Sequence, residues 1–313
     1  MTTVGDLLAA GTERLRAAGS PSARLDAELL LADALGTGRA GVLAHSHGLA
    51  GDGPAARFDA ALERRAAGEP VAYIRGMKEF HGLALGVDAR ALVPRPETEL
   101  LVDLALGEVS DMLGRAPRPT GTPPVTVADV GTGSGAIAVA IAATLRRRGM
   151  AGEVEIIASD LSAEAAALAR ENAVAHGVAD RVGVTVADLL PLADATAGML
   201  RVPEHFDVVC ANLPYIRTED LAGLPAPVQF EPRDALDGGA DGLDVVRRLL
   251  AILPDRLGVG GLALLEIGSD QADTLGAAAA TLLPGWVCEV VTDLAGLPRI
   301  ARLANAARPE AAR

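Results

Sequence analysis

The sequence predicts a doubly wound α/β sheet that follows a small N-terminal helical domain. Three observations predict this fold. From residue 125 onward, apolar runs of strand length alternate with segments of helical periodicity. Several of these runs end in Asp or Asn, at the sheet edge where open α/β folds bind ligands. Residues 4–35, in contrast, show only helical periodicity.

The first part of the chain predicts a helical domain over residues 1–75. The tripeptide Ser20–Ser22 contains a proline and is expected to end the first helical run and cap the next helix. A later helix is expected over Ala55–Ala67. His45 and His47 have no third metal ligand nearby, so no metal site is expected there. Since the domain shows no other catalytic motif, we expect it to recognise a partner or cover a site.

Residues 76–96 are expected to form a β-hairpin and a connecting segment. Two short apolar stretches, Pro70–Ile74 and Phe80–Val87, favour a pair of strands. Further on, Arg115–Pro124 is rich in Pro, Gly and Arg, a composition typical of a linker.

A proline-flanked arginine lies between the hairpin and the following helix, in the segment Val93–Glu99. Two prolines favour an extended backbone there. Arg95 and Glu97 then form a pre-organised charge pair, a candidate for substrate binding. The alternative is that this segment only begins a helix, where acidic side chains interact favourably with the positive end of the helix dipole.

Residues 97–313 are expected to hold the sheet, and the Ala- and Arg-rich tail after Leu303 is expected to be disordered. The predicted strands are Val125–Val130, Val154–Ser159, Val182–Val186, Phe206–Val209, Leu262–Ile267, Val287–Thr292 and Arg299–Leu303. The predicted helices between them are Ala136–Arg148, Ala163–His176 and Leu243–Leu253.

Composition narrows the classes of function. The 313-residue chain has a formal net charge of −13, which disfavours tight, sequence-independent binding of nucleic acid. Two cysteines, Cys210 and Cys288, form neither a disulfide framework nor a CxxC metal site. We find no signal peptide and no apolar run long enough to span a membrane, so a cytoplasmic location is expected.

The motif Asn212-Leu213-Pro214-Tyr215 follows a buried strand and is the centre of the predicted site. Asn212 offers one acceptor and two donors, Pro214 stiffens the backbone, and Tyr215 offers a flat face. Together they suit a planar nitrogen group held in place for reaction. The alternative is a strand end that runs into a tight turn.

A glycine loop follows the first strand of the sheet, and it permits two interpretations. Gly131–Ala136 fits the dinucleotide fingerprint G-x-G-x-x-A, and Asp160 ends the next strand, where an acid can hold a ribose diol. The preceding Asp129 and the alternating glycines favour S-adenosylmethionine instead, a nucleoside with an amino-acid tail and no pyrophosphate. A dehydrogenase also has no use for the Asn212 motif.

These motifs together resemble the class I S-adenosylmethionine-dependent methyltransferases that act on planar nitrogens. Three further stretches, Arg64–Ile74, Val93–Glu99 and Glu231–Leu243, are similar to the protein-(glutamine-N5) methyltransferases called PrmC or HemK. The resemblance covers the chain from about Ser20 to about Leu303. It implies a Rossmann-like, seven-stranded sheet and methylation of the glutamine in the Gly-Gly-Gln loop of peptide-chain release factors.

The resemblance also implies roles for individual residues. S-adenosylmethionine would be bound, and S-adenosylhomocysteine released, without a metal. The residues expected to bind the cofactor are Asp129, Gly131, Thr132, Gly133, Ser134, Gly135, Asp160, Leu161, Asp188, Leu189 and Asn212. The residues expected to bind the substrate are Arg95, Glu97, Asn212, Leu213, Pro214, Tyr215 and Glu231, and the catalytic ones are Asn212, Pro214 and Tyr215.

The main departure from the family concerns its usual motif, Asn-Pro-Pro-Tyr; the family also often has an aromatic residue, able to stack on adenine, at the position of Leu189. Leu213 replaces the first proline, which keeps a carbonyl acceptor for the substrate NH₂ but loses backbone rigidity. The expected chemistry needs two acceptors on the amide NH₂, which favour charge developing on nitrogen. The substrate nitrogen must also lie close to the methyl group of the cofactor, and no strong base is needed.

Four other functions stay open at this point. Free arginine is a planar NH₂-bearing substrate that Glu97, Glu231 or Asp234 would suit. Adenine in nucleic acid is methylated through a similar loop, although the acidic charge disfavours it. A cofactor-binding partner module without catalysis and an NAD enzyme are the other two.

Overall fold

The computed structural model of the protein describes residues 2–114 and 122–305. The predicted linker is therefore described only at residues 122–124, and the predicted disordered tail lies outside the described residues from 306 onward. The chain divides into two compact units. The first comprises Met1–Lys78, Val87–Ala89 and Leu224–Phe230, and the second comprises Glu79–Gly86, Arg90–Gly223 and Glu231–Arg313.

Helices dominate the first unit. Its core is aliphatic apart from Phe58, and an ion pair crosses it: Arg65 Nε donates to Asp26 Oδ2 at 2.8 Å, and both side chains are buried. The helices up to residue 75 are α1 (Val4–Ala17), α2 (Ala23–Leu35), α3 (Arg39–Ala44), α4 (Asp52–Ala66) and α5 (Val71–Arg75).

Two expectations for this part of the chain are wrong. Pro70–Ile74 is not a strand, because helix α5 occupies Val71–Arg75 and ends at Gly76 in the left-handed region. A five-residue apolar run has no period that separates strand from helix, and burial of Tyr73 decides it. Ser22 lies at the N-cap of α2, but its hydroxyl donates to Asp26 Oδ1 rather than accepting from the helix backbone.

The hairpin lies slightly later than expected, and the sheet follows it. Strands β1 (Met77–Phe80) and β2 (Leu83–Gly86) form the hairpin. The remaining helices are α6 (Thr98–Gly114), α7 (Ala136–Arg147), α8 (Ala163–Ala175), α9 (Ala226–Gln229), α10 (Asp244–Arg256) and α11 (Ala272–Leu282). The remaining strands are β3 (Val125–Val130), β4 (Val154–Asp160), β5 (Val182–Val186), β6 (Thr196–Ala197), β7 (Leu200–Arg201), β8 (Phe206–Ala211), β9 (Leu257–Glu266), β10 (Trp286–Thr292) and β11 (Pro298–Asn305).

The predicted doubly wound, seven-stranded sheet is confirmed. Its strand order is β10-β11-β9-β8-β3-β4-β5, with the last five strands parallel and β11 antiparallel to both neighbours. The Ala- and Ile-rich helix α7 is almost entirely buried, which accounts for its apolar sequence on every side. Strands β6 and β7 form a separate two-stranded sheet that the sequence did not indicate.

Strand register brings the predicted loops together. The chain order reverses between β3 and β8, which pair in parallel with Val130 opposite Ala211. Gly131 and Asn212, the next residues, therefore leave neighbouring strands at the same edge. This is the topological switch point, where open α/β sheets bind ligands. No helix in the described part of the chain is long and apolar enough to cross a membrane.

Candidate active site

The glycine loop has a backbone that only glycine adopts readily. Gly131, Gly133 and Gly135 have φ values of 70°, 56° and 81°, in the left-handed region. A Cβ on Gly135 would also lie 3.1 Å from the Ala169 Cα and Cβ, so this glycine lets the loop pack closely on α8. The N–H groups of Gly131 and Thr132 both donate to the Ser159 carbonyl at 2.9 Å, which ties the loop to β4.

Asp129 lies beneath this loop and is fully buried. Its Oδ2 accepts from the Thr132 hydroxyl at 2.6 Å and from the Ala138 N–H at 3.1 Å. Burial raises the pKa of Asp129 from 3.8 to about 6, against the effect of these two hydrogen bonds. Its Oδ1 and the buried Ser134 Oγ have no hydrogen-bond partner among the described residues. An acceptor and a hydroxyl therefore remain for a polar ligand with donor groups.

Asp160 ends β4 and faces the same loop. Its Oδ2 accepts from the Gly133 N–H at 2.8 Å, and its Oδ1 accepts from the Ser162 N–H at 2.9 Å. Burial raises its pKa, while the two backbone hydrogen bonds lower it. Each carboxylate oxygen retains a lone pair that can accept from a diol. The neighbouring Leu161 is 68% exposed.

Asp188 and Leu189 follow β5, next to β4. The Asp188 carboxylate pairs with Arg248, and both side chains are about half exposed. Leu189 is buried with φ of 63°, and its carbonyl accepts from the Ser159 hydroxyl at 2.8 Å. The Leu189 backbone is thereby tied to β4, next to Asp160.

Asn212 leaves β8 half buried, with its amide group held from one side. Its Nδ2 donates to the Thr98 Oγ1 at 3.1 Å, across 114 residues of sequence. The carboxyl of Glu266 ends β9 beside Asn212, and Thr98 and Asn212 both lower its pKa, against the larger effect of burial. In the described structure no hydrogen bond reaches the Asn212 Oδ1, so this oxygen remains as an acceptor.

Leu213 and Pro214 have different surroundings. Leu213 is buried, and a Cβ on Gly131 would lie 3.0 Å from its Cδ2. Its side chain therefore packs on the glycine loop. Pro214 is half buried, and a Cβ on Gly238 would lie 2.7 Å from its carbonyl oxygen, so Gly238 permits a close backbone approach.

The backbone of Tyr215 is held from the other side of this loop. Its carbonyl accepts from the buried Gln271 Nε2 at 3.0 Å, and the adjacent Ile216 pairs with Asp237 in a parallel bridge. The phenol is half buried, and burial, followed by the charge of Glu266, raises its pKa. Its ring is therefore a partly exposed, neutral face at neutral pH.

The expected pairing of Arg95 with Glu97 is wrong. Arg95 Nη2 donates to Glu231 Oε1 at 2.7 Å, and Glu231 Oε2 accepts from the Val93 N–H at 2.9 Å. Glu97 is exposed instead. Glu231 is buried, and a buried carboxylate requires a cationic partner. Arg95 therefore pairs with Glu231, 136 residues away in sequence, rather than with the nearby Glu97. Both Glu231 oxygens thus hold the chain that leads to α6.

Sequence reasoning missed Thr98, Glu266 and Gln271. The signal for Glu266 was present, since it is a polar residue at the end of an apolar run, as Asp160 is. Thr98 and Gln271 carry no such signal, because their contacts come from the packing of α6 and α11 against the sheet. Within the described residues no group of three or more His, Cys, Asp or Glu is arranged to hold a metal ion.

Comparisons with known proteins match both parts of the chain. The family model described as the PrmC N-terminal domain matches residues 6–76, and one described as a methyltransferase domain matches residues 127–226. A release factor glutamine methyltransferase of Deinococcus radiodurans is 40% identical over 301 residues, which cover 96% of this chain and 98% of the relative.

Two further comparisons extend this result. A release factor glutamine methyltransferase of Cereibacter sphaeroides is 39% identical over 307 residues, covering 98% of this chain and 99% of the relative. Among solved structures, the hMettl16 catalytic domain in complex with the MAT2A 3'UTR hairpin 6 has a TM-score of 0.52 at 15% identity, over 82% of each chain. At that identity the likeness shows the fold alone.

Proposed function

The chain belongs to the release factor glutamine methyltransferases, and on this premise we propose how its residues perform the reaction. The enzyme uses S-adenosylmethionine and methylates a glutamine of a peptide-chain release factor. The finer assignment is that the acceptor is the side-chain amide nitrogen in the Gly-Gly-Gln motif. Free arginine as the acceptor has no support from the relatives reported above.

The cofactor site is proposed to lie over the glycine loop. The unpartnered Asp129 Oδ1 suits an ammonium group, and Asp160 suits a ribose diol, which fits the two polar ends of S-adenosylmethionine. The other residues assigned to this site are Gly131, Thr132, Gly133, Ser134, Gly135, Leu161, Asp188 and Leu189. Bound there, the cofactor supplies an activated methyl group, and no metal is assigned a role.

The orientation of the Asn212 amide is the observation that carries the catalytic assignment. Its NH₂ is directed to Thr98, which leaves Oδ1 of the half-buried Asn212 as an acceptor. An amide nitrogen is a poor nucleophile because its lone pair is delocalised into the carbonyl. Acceptors placed on its hydrogens hold it in one orientation and stabilise positive charge as it develops on nitrogen.

The remaining loop residues complete the substrate site. The Leu213 carbonyl is assigned as the second acceptor for the substrate NH₂, a role that a backbone oxygen keeps whichever side chain is present. The Tyr215 ring is assigned to pack on the planar amide, and Pro214 limits the loop to one shape. The methylated nitrogen is acidic, so it loses its proton without a strong base.

Arg95, Glu97 and Glu231 are assigned to the protein-substrate side of the site. Glu231 acts by holding Arg95, whose side chain is 29% exposed and therefore available to a carbonyl or carboxylate of the release factor. Residues 1–75 are proposed to recognise the release factor, and residues 76–96 to connect them to the methyltransferase domain at residues 97–313. A substrate of translation implies a cytoplasmic location.

A methyl-transfer assay with S-adenosylmethionine tests the function. A release factor, its Gln→Asn variant in the Gly-Gly-Gln loop and free arginine are offered in parallel, and products are mapped by mass spectrometry. Methylation is expected on the wild-type release-factor glutamine only. Equal methylation of the Gln→Asn variant, or transfer to arginine alone, would contradict the assignment.

A further inference from the structure

Glu266 lies beside Asn212 at the carboxyl edge of the sheet. The parallel strands β8 and β9 pair Ala211 with Leu265, so the residues that follow, Asn212 and Glu266, are neighbours. Only 3% of Glu266 is exposed. A carboxylate is costly to bury unless it is paired, so its presence at this position calls for an explanation.

Within residues 2–114 and 122–305, Glu266 has donors nearby but forms no salt bridge. The Thr98 hydroxyl and the Asn212 amide both lower the pKa of Glu266, so both donors lie near its carboxyl, and Thr98 is itself buried. Glu266 Oε2 has no hydrogen-bond partner among the described residues. Asn212 Nδ2 donates to Thr98 Oγ1, so the amide, the hydroxyl and the carboxylate form one polar cluster.

We propose that Glu266, together with Thr98, is a positioning residue that sets the orientation of the Asn212 amide. An ionised carboxylate only accepts hydrogen bonds, so it selects the orientation in which the Asn212 NH₂ faces inward. The Asn212 Oδ1 is then the atom presented to the substrate amide. This inference rests on the proposed function. It adds Glu266, which lies outside the loop Asn212–Tyr215, to the residues that support catalysis.

The energetic argument depends on what the inverted amide would do. An asparagine amide is nearly symmetric in shape, so packing alone distinguishes its two orientations weakly. In the inverted orientation, the Asn212 NH₂ would face the NH₂ of the substrate glutamine, and two donors would meet. The substrate amide would lose an acceptor, which is expected to lower the rate about tenfold to hundredfold, equal to about 1.4–2.7 kcal/mol at 1.36 kcal/mol per factor of ten.

The ionisation of Glu266 connects this cluster to pH. The pKa of Glu266 is raised to about 7: burial is the largest cause, the charge of the exposed Glu97 also raises it, and Thr98, Arg299 and Asn212 lower it. The charge of Glu266 in turn raises the pKa of the Tyr215 phenol, after the larger effect of burial. A protonated Glu266 can donate as well as accept, so it no longer selects one orientation of Asn212.

The test is Glu266→Gln in the full-length enzyme, with Glu289→Gln as the matched control. The introduced glutamine has the same shape as the glutamate but both donates and accepts, whereas Glu289 is exposed on β10 and undergoes the same chemical change. With saturating S-adenosylmethionine and release factor, kcat of Glu266→Gln is expected to fall about tenfold to hundredfold. Its Kd for S-adenosylmethionine is expected to stay within about twofold of wild type.

The pH profile separates this role from a merely structural one. Wild-type kcat is expected to rise with pH through about 7, the pKa of Glu266, and Glu266→Gln is expected to lose that limb. A Glu266→Gln enzyme with wild-type kcat and an unchanged limb would overturn the proposal. So would a proportional loss of kcat and cofactor affinity, since that indicates general damage to the site.

A second pair of variants keeps the proposal testable if Glu266→Gln does not fold. Thr98→Val removes the hydroxyl and Thr98→Ser keeps it; only the former is expected to lower kcat about tenfold or more. Equal activities of the two would overturn the proposal. If wild type fails to methylate release-factor glutamine, the proposed function fails; if only the variant results fail, the assignment of Glu266 fails alone.

Discussion

Leu213 packs directly on Gly131, so the loop that carries Asn212 contacts the glycine loop. A Cβ on Gly131 would lie 3.0 Å from the Leu213 Cδ2, and Gly131 has a φ of +70°. The one residue that departs from the family motif thus fills space against the predicted cofactor loop. Its buried side chain supports the position of both loops.

Gly131→Ala is expected to weaken binding of S-adenosylmethionine. The left-handed backbone costs a non-glycine residue about 1–2 kcal/mol, and the new methyl group presses on Leu213 in addition. We expect Kd, measured by calorimetry, to rise about tenfold or more. Gly149→Ala is the control, since Gly149 has a φ of +75° but nothing within 4 Å of its Cβ position. Equal cofactor affinity in both variants would rule out this role for the Gly131–Leu213 contact.

Asn212→Ala is expected to separate binding from transfer. The acceptor Oδ1 is lost, but the contacts of the glycine loop with Asp129 and Asp160 remain. We expect kcat to fall by about a hundredfold or more, while Kd for S-adenosylmethionine changes by less than about threefold. Equal loss of binding and transfer would undo the assignment of Asn212 to the substrate amide.

Glu266→Gln is expected to stabilise the fold at alkaline pH. The pKa of Glu266 is raised from 4.5 to about 7, so the folded state favours the protonated form. Its contribution to stability is present below pH 4.5 and is lost as pH rises through about 7. The variant should therefore have a free energy of unfolding higher by up to about 3 kcal/mol at pH 8, from about 1.4 kcal/mol per pKa unit.

Urea unfolding at pH 5 and pH 8 measures this difference. Glu289→Gln, an exposed change, is expected to move stability by less than about 0.5 kcal/mol at either pH. If Glu266→Gln is more stable but has a lower kcat, the carboxylate of Glu266 contributes to function although it lowers the stability of the fold. A variant destabilised at pH 8 would show that the carboxylate is mainly structural.

Asp129→Asn is expected to change how cofactor binding depends on pH. Burial raises the pKa of Asp129 from 3.8 to about 6, so the wild-type carboxylate is protonated below that pH and no longer attracts an ammonium group. The charge of Asp160 contributes to this increase, while the hydrogen bonds from Thr132 and the Ala138 N–H oppose it. Wild-type affinity for S-adenosylmethionine should fall as pH drops below about 6.

The variant should bind more weakly at pH 8, and its affinity should not follow the titration of Asp129. Its fold should be more stable at pH 8 by up to about 3 kcal/mol, because a buried charge is removed. Affinities of both proteins are measured by calorimetry between pH 5 and pH 8. Parallel pH profiles would contradict the assignment of Asp129 Oδ1 to the cofactor.

Glu231→Gln is expected to impair use of the release factor but not of the cofactor. The Gln can still accept from the Val93 N–H, but the charge that holds Arg95 is lost. We expect KM for the release factor to rise about threefold to tenfold, with Kd for S-adenosylmethionine unchanged. Glu204→Gln, an exposed change, is the control. An unchanged KM would remove Arg95 and Glu231 from the substrate site.

Much of the site was predictable because its residues are local to strand ends. Asp129, Asp160 and Asn212 each end or follow an apolar run, and the bounds predicted for β3 and β5 agree with the structure. The glycines of the loop were likewise visible in the sequence, and the structure places Gly131, Gly133 and Gly135 at positive φ. Such features depend on a few consecutive residues, and the chemistry of those residues can be read from the sequence.

Other features were wrong or missed because they depend on distant partners. The stretch Pro70–Ile74 was too short to show a period, and packing around Tyr73 made it a helix. The sequence suggested that Arg95 pairs with its near neighbour Glu97. In the structure Arg95 pairs with Glu231 instead, because a buried carboxylate is destabilised without a cationic partner. Neither result follows from local propensity.

By itself, the sequence determined the alternation of strands and helices, the glycine loop and the acid and amide groups that follow the strands. Only the tertiary structure decided that Asn212 lies next to Glu266, since this requires β8 to pair with β9 and Ala211 to be opposite Leu265. Strand order and register are set by burial of the whole sheet rather than by any one strand. The local motif therefore identifies the chemistry, while the packed sheet supplies the neighbours that orient it.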